Sequence, residues 1–168
     1  MKSILIVLLG LLFSVSIYGH KNRSDDEISA QDKILLQKFW RDFTDAVTRN
    51  DKEKIKTLCE FPFYCRPCLN YTEYKNSNPV TVKVTKELYH KKHYKIFFEK
   101  ELKAEVKKHR KFNVQFFHPY FNKEVNIHGI SFLYTLVPPS KTREGTQGMI
   151  TLVKKAGKFK ITGIDIIP

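Results

Sequence analysis

The chain has 168 residues and a net charge of +13, from 30 Lys or Arg against 17 Asp or Glu. That length holds one domain with a real core, and no internal repeat or low-complexity segment argues for a solenoid or a disordered chain. A surface this basic invites acidic partners, although a lysine-rich surface that is merely solvated has the same composition.

The N-terminus has the layout of a secretory signal peptide. Lys2 precedes the apolar run Ile4–Phe13 (ILIVLLGLLF), and small residues follow from Ser14 to Gly19. The run is short for a membrane span, so residues 1–19 are expected to be removed, by cleavage near Ser16 to Gly19. An uncleaved N-terminal anchor is the alternative. The expected location is therefore exported, periplasmic or secreted, and export takes nucleic acid off the list of expected partners. Residues 20–28 (HKNRSDDEI) form a polar leader, and 29–168 a single domain. Asn22-Arg23-Ser24 and Asn70-Tyr71-Thr72 fit the glycosylation sequon, which matters only in a eukaryotic secretory route.

Ser29 is placed to cap a helix, with Asp32 three residues on. Leu36, Phe39, Trp40, Phe43, Ala46 and Val47 recur at threes and fours, which predicts an amphipathic helix ending at Asn50. Asp51 caps a second, shorter helix with Ile55, Leu58 and Cys59 facing in, which Pro62 is expected to end. Phe61, Phe63 and Cys65 then share one strand face, with Tyr64 and Arg66 on the other. A loop over 70–79 leads to a short strand over 79–84. Thr85 opens a basic, mainly helical stretch to about Lys108, with a break expected near Phe98-Glu99. Strands follow over 114–121, 125–137, 146–154 and 158–167, the last two joined through Ala156-Gly157 as a hairpin.

All three cysteines lie in CEFPFYCRPCLN, Cys59 to Asn70. A redox pair at Cys65 and Cys68 wants a helix N-terminus, and no helical stripe follows. Zinc lacks a fourth ligand at a usual spacing, so no metal is expected. That leaves a disulfide, as an oxidising compartment allows. In an extended strand Cys65 and Cys68 stand about 10 Å apart, and a turn between them puts Pro67 at a disfavoured position. The expected bridge is Cys59–Cys68, or Cys59–Cys65. The first of these leaves Cys65 as a buried thiol.

Two segments, FWRDFTDAVTRNDKEKIKTLCEFP (Phe39–Pro62) and GKFKITGIDII (Gly157–Ile167), together with the element order, resemble the nuclear-transport-factor-2-like superfamily. That superfamily includes ketosteroid isomerase, scytalone dehydratase and SnoaL-type cyclases. The resemblance covers roughly residues 30–167 and rests on apolar spacing and turns, with no catalytic residue in it. It implies an α+β fold, a curved antiparallel sheet wrapped around N-terminal helices in a cone. It further implies a pocket between sheet and helices, with Trp40, Phe43, Tyr120 and Tyr134 as candidate lining. A homodimer through the open sheet face is the implied alternative to a monomer. Members of the superfamily catalyse, bind ligands or fill the pocket, so the fold alone chooses no function.

Acid–base chemistry in such a pocket needs a buried carboxylate or a histidine. The candidates are His118, His128, Tyr134 and Asp165, each set against an ordinary structural role; Asp165 shares the parity of Phe159 and Ile161 unless Gly163 introduces a bulge. His90 and His93 share a helix face, but Lys91 and Lys92 repel a metal ion. No zinc-protease, nucleophile-elbow or phosphate-loop motif occurs, and no cofactor is expected. Between Lys86 and Lys111 ten Lys or Arg stand against four Glu. A face of Lys91, Lys92 and Lys95 that docks on an anionic lipid or glycan is one reading of them. The leading expectation is an exported binding or interaction module, for a small apolar ligand or an anionic envelope component. The alternative is a small pocket enzyme, an isomerase, dehydratase or hydrolase.

Overall fold

The structure, a computed structural model, describes residues 28–69, 81–122, 127–142 and 144–167. The predicted signal peptide, nearly all of the leader, both sequons and the 70–79 loop lie outside the described residues.

Helix α1 (Ala30–Arg49) starts where the sequence places it. The Ser29 hydroxyl donates to Asp32 Oδ2 at 2.8 Å and accepts from Asp32 N at 3.0 Å, a side-chain cap on the first turn. It ends at Asn50, whose φ of 54° is the left-handed stop that asparagine tolerates. Helix α2 (Lys52–Leu58) begins at Asp51, which accepts from Lys54 N at 2.9 Å.

Strand β1 spans Cys59–Cys65. The second helix therefore stops at Leu58, just before Cys59, and Pro62, which was expected to end it, lies inside the strand. Cys59 turns extended, with its N–H on Lys56 O, and pairs with Ile161. Sheet pairing thus ends the helix before proline geometry acts. Phe63 and Cys65 are buried and Tyr64 is exposed, as the alternation predicts.

The disulfide expectation is overturned. Cys65 is bonded to Cys68, with Cα atoms 5.3 Å apart, and Cys59 is a buried free thiol. The chain does not stay extended past Cys65. Arg66 N donates to Ile164 O, and Leu69 N donates to Arg66 O at 3.2 Å. The turn is Arg66–Leu69, so Pro67 takes its second position, where its fixed φ is favoured.

After β2 (Val82–Val84), the basic stretch forms three pieces where one break was expected. They are α3 (Lys86–Lys91), a 3₁₀ segment (His93–Phe98) and α4 (Lys100–Lys108). Lys92, at φ −149°, ends α3, and Glu99 is extended before α4. The tighter middle piece turns His93, Ile96 and Phe97 into the core. A short 3₁₀ turn (Val114–Phe116) precedes β3 (His118–Asn122), so that strand starts later than its aromatic run suggests. Strands β4 (Ile127–Val137), β5 (Thr146–Lys155) and β6 (Lys158–Ile167) complete the sheet. The β5–β6 hairpin turns through Ala156 and Gly157 at φ 46° and 71°, the pairing that matches strand twist.

The fold is α+β. One six-stranded sheet runs β2-β1-β6-β5-β4-β3, antiparallel except for the parallel β1–β6 pair. Pro119 sits in β3, an edge strand, where a missing N–H is tolerated. The helices cover one face, and Leu36, Phe43 and Val47 of α1 meet Phe132, Ile150 and Ile161 of the sheet in one core.

Candidate functional site

The space between α1 and the sheet is filled by aromatic rings. Trp40 lies 5.2 Å, centroid to centroid, from Phe116 and from Phe132, and 5.4 Å from Phe117. Phe43 lies 5.7 Å from Phe132 and 6.4 Å from Phe97. All of these contacts are edge-to-face, a favourable arrangement for buried rings. The indole N–H of Trp40 donates to His109 O at 2.7 Å, so its one polar atom is satisfied. Trp40 and Phe43 are packing residues in this cluster, and only the edge of Trp40 reaches a surface cleft.

Tyr134 and Tyr120 stand on opposite faces of the sheet. Tyr134 shares the helix-side parity of Ile130 and Phe132 and is 1% exposed. Its ring lies against Gly148 of β5, where a β-carbon would come within 2.6 Å of the Tyr134 oxygen. The Tyr134 hydroxyl is buried with no hydrogen-bond partner among the described residues. Burial pushes its pKa up, and the carboxylates of Glu99 and Glu101 add to the rise. Tyr120 leans over Gly129 on the outer face, towards Thr151 and Thr162. Burial raises its pKa too, against the lowering effect of hydrogen bonds with those two hydroxyls.

The acid–base candidates do not converge. His128 shares the helix-side parity of Tyr134, but six residues of strand separate them, about 20 Å. It lines a cleft of about 220 Å³ with Ile28, Asp32 and Phe159, at the far end of β4. His118 is exposed at the start of β3, paired with Ser131. Asp165 pairs with Met149, which pairs with Leu133, on the face away from the helices. It accepts from Ile166 N at 2.8 Å and lies 3.0 Å from Arg66 Nε. Two strands, β4 and β5, stand between His118 and Asp165. Among the described residues no cluster of three His, Cys, Asp or Glu is arranged to hold a metal.

One surface feature was missed by sequence reasoning. A cleft of about 360 Å³ opens between α1, α2 and the β5–β6 hairpin. Leu35, Phe39, Leu58 and Phe159 make its apolar side, and Lys38, Lys54, Lys158 and Lys160 line it as well. Its one acid, Asp42, lies 3.5 Å from Lys54. Lys160 Nζ donates to the Thr57 carbonyl, and Lys154, next to the cleft in the hairpin, is paired to Asp32 at 2.8 Å. The available signal was KKAGKFK (Lys154–Lys160), four lysines in seven residues around a turn. A larger open cleft of about 540 Å³ lies along the solvent side of α1, with Ile34, Lys38, Arg41, Arg110 and Phe112 on its walls. Lys91, Lys92 and Lys95 are exposed on α3 and just after it.

No family model matches this chain. No curated protein matches it either. Among solved structures it is similar to a variant of an NTF2 design, with 13% identity over 79% of this chain and 96% of that one, at a TM-score of 0.37. It is also similar to "a putative ketosteroid isomerase" from Shewanella frigidimarina, with 14% identity over 83% of this chain and 95% of that one, at a TM-score of 0.40. Both names belong to the fold type that the sequence resembles, and a likeness of this degree bears on no activity.

Proposed function

We propose that this chain is an exported, non-catalytic binding module that works through its surface clefts. The observation that carries the reading is the aromatic cluster between α1 and the sheet. Trp40, Phe43 and Phe132 occupy the volume in which a buried reaction chamber would have to lie. A general acid or base must reach its substrate within hydrogen-bond distance, and a mechanism with two such groups needs them close together. Tyr134, His128, His118 and Asp165 stand at different places on two sheet faces.

Export rests on the apolar run Ile4–Phe13 and the small residues after it. The test is expression of the full chain in an exporting host, followed by native mass spectrometry of the product. The expected result is a chain trimmed near Ser16 to Gly19, carrying one disulfide and retaining a non-covalent ligand. Turnover of an ester or enone probe, abolished by Tyr134→Phe or His128→Gln in a folded protein, would overturn the non-catalytic reading.

A further inference from the structure

We infer that the cleft between α1, α2 and the β5–β6 hairpin binds a single-chain amphiphilic anion, namely a long-chain carboxylate. The inference deepens the binding-module reading and rests on it. The alkyl chain lies against Leu35, Leu58 and Phe159, and the carboxylate sits among the lysines.

Three observations point to this ligand class. First, the cleft combines two chemistries that a solvated lysine surface does not need together. Four apolar side chains from α1, α2 and β6 meet four lysines in about 360 Å³, near the lower end of ligand-pocket volumes. Second, the charge is not balanced locally. Among the described residues Asp42 is the one acid in the lining, and it is already beside Lys54. Lys38 and Lys158 make no ion pair or hydrogen bond with a described residue, so their ammonium groups are available to a ligand anion. Third, the cleft is narrow in what it accepts. Among the described residues no arginine lines it to form a two-pronged grip. The hairpin tip, Ala156-Gly157, has no aromatic or long apolar side chain to insert into a bilayer. A single chain with a compact monoanionic head satisfies all three observations.

Dodecanoate, kept below its micelle threshold, is the probe, with decanol and butyrate as the uncharged chain and the chainless anion. Binding is measured by calorimetry and located by amide shifts in the labelled, disulfide-intact protein. Dodecanoate is expected to bind at least about tenfold more tightly than either comparator, with shifts centred on Leu58 and Phe159. The pair Lys38→Glu and Lys158→Glu together should weaken it about tenfold or more without lowering the melting temperature. Raising salt to about 1 M, where the Debye length falls to about 3 Å, should weaken it as well. Leu35→Asn supplies a second variant that alters the apolar side without changing the charge, and it too should weaken binding. No binding of dodecanoate, equal binding by the charge-reversed protein, or shifts located elsewhere would each overturn the assignment. Any of these results leaves the non-catalytic reading standing, because that reading falls only to turnover dependent on Tyr134 or His128.

Discussion

Tyr134 packs its ring over Gly148 on the neighbouring strand, and a β-carbon at Gly148 would stand 2.6 Å from the tyrosine oxygen. The missing side chain on β5 makes room for the ring on β4, in a core with no slack on that side. Gly148→Ala therefore forces Tyr134 out of place and is expected to cost about 2 kcal/mol. Gly157→Ala is the comparison. Nothing lies within 4 Å of a β-carbon there, and only the φ of 71° is unfavourable, so about 1 kcal/mol is expected. Chemical denaturation of both variants checks the order, and a smaller loss for Gly148→Ala than for Gly157→Ala would contradict the packing account.

The same tyrosine separates a structural ring from a working hydroxyl. Its oxygen is buried without a partner among the described residues, a state that costs desolvation and returns nothing. Removing it by Tyr134→Phe keeps the ring and is expected to leave stability unchanged or to raise it by up to about 1 kcal/mol. A clear fall in melting temperature would show that the hydroxyl has a partner in solution.

Cys65 and Cys68 close a short loop, for which chain entropy predicts a stabilisation of about 2 kcal/mol. Reductant and Cys68→Ala should each lower stability by about that amount, and reductant should have no further effect on the variant. Cys59 is the contrasting thiol. Burial pushes its pKa up, with nearby Lys160 opposing, so thiolate is scarce at neutral pH. Alkylation should label Cys59 only after unfolding, and peptide mapping without reduction should recover Cys65 linked to Cys68. A Cys59-linked peptide would restore the pairing expected from an extended strand.

The elements that the sequence made legible are those specified by local chemistry. The Ser29–Asp32 cap, the apolar stripe of α1, the Asn50 stop and the Ala156-Gly157 turn all act within a few residues, and all four stand where their side chains place them. The misses involve choices made at a distance. The start of β1 at Cys59 follows from pairing with Ile161, a hundred residues away in the chain, and no helix-breaking residue announces it. The disulfide followed the same logic, since Arg66 N bonding to Ile164 O holds the chain while Pro67 turns it. The candidate site was legible as residue types and illegible as an arrangement. Parity puts Tyr134 on the helix side, and the irregularity opposite Thr151, beside Gly163 where the sequence allows a bulge, sends Asp165 to the other face. The lysine-lined cleft joins Lys38, Lys54 and Lys158 from three elements, so no single stretch displays it.

His93 gives the protein a pH dependence that a surface histidine would not. It is 7% exposed at the start of the 3₁₀ segment, and its Nε2 is buried with no partner among the described residues. Burial holds its pKa below the ordinary histidine value, and the charge on Lys92 lowers it further. In the unfolded chain it titrates near the usual value of about 6.5. Between those two values the unfolded chain carries the proton and the folded one does not. Stability therefore rises with pH across that window, is complete above about 6.5, and is lost as pH falls towards the lowered folded value. His93→Gln keeps a polar side chain without the titration. It is expected to flatten the dependence of melting temperature between about pH 5 and pH 7, leaving only the slope from carboxylates. The measurement is a melting series of both proteins across that range. If both series decline in parallel on acidification, His93 is not the group that titrates.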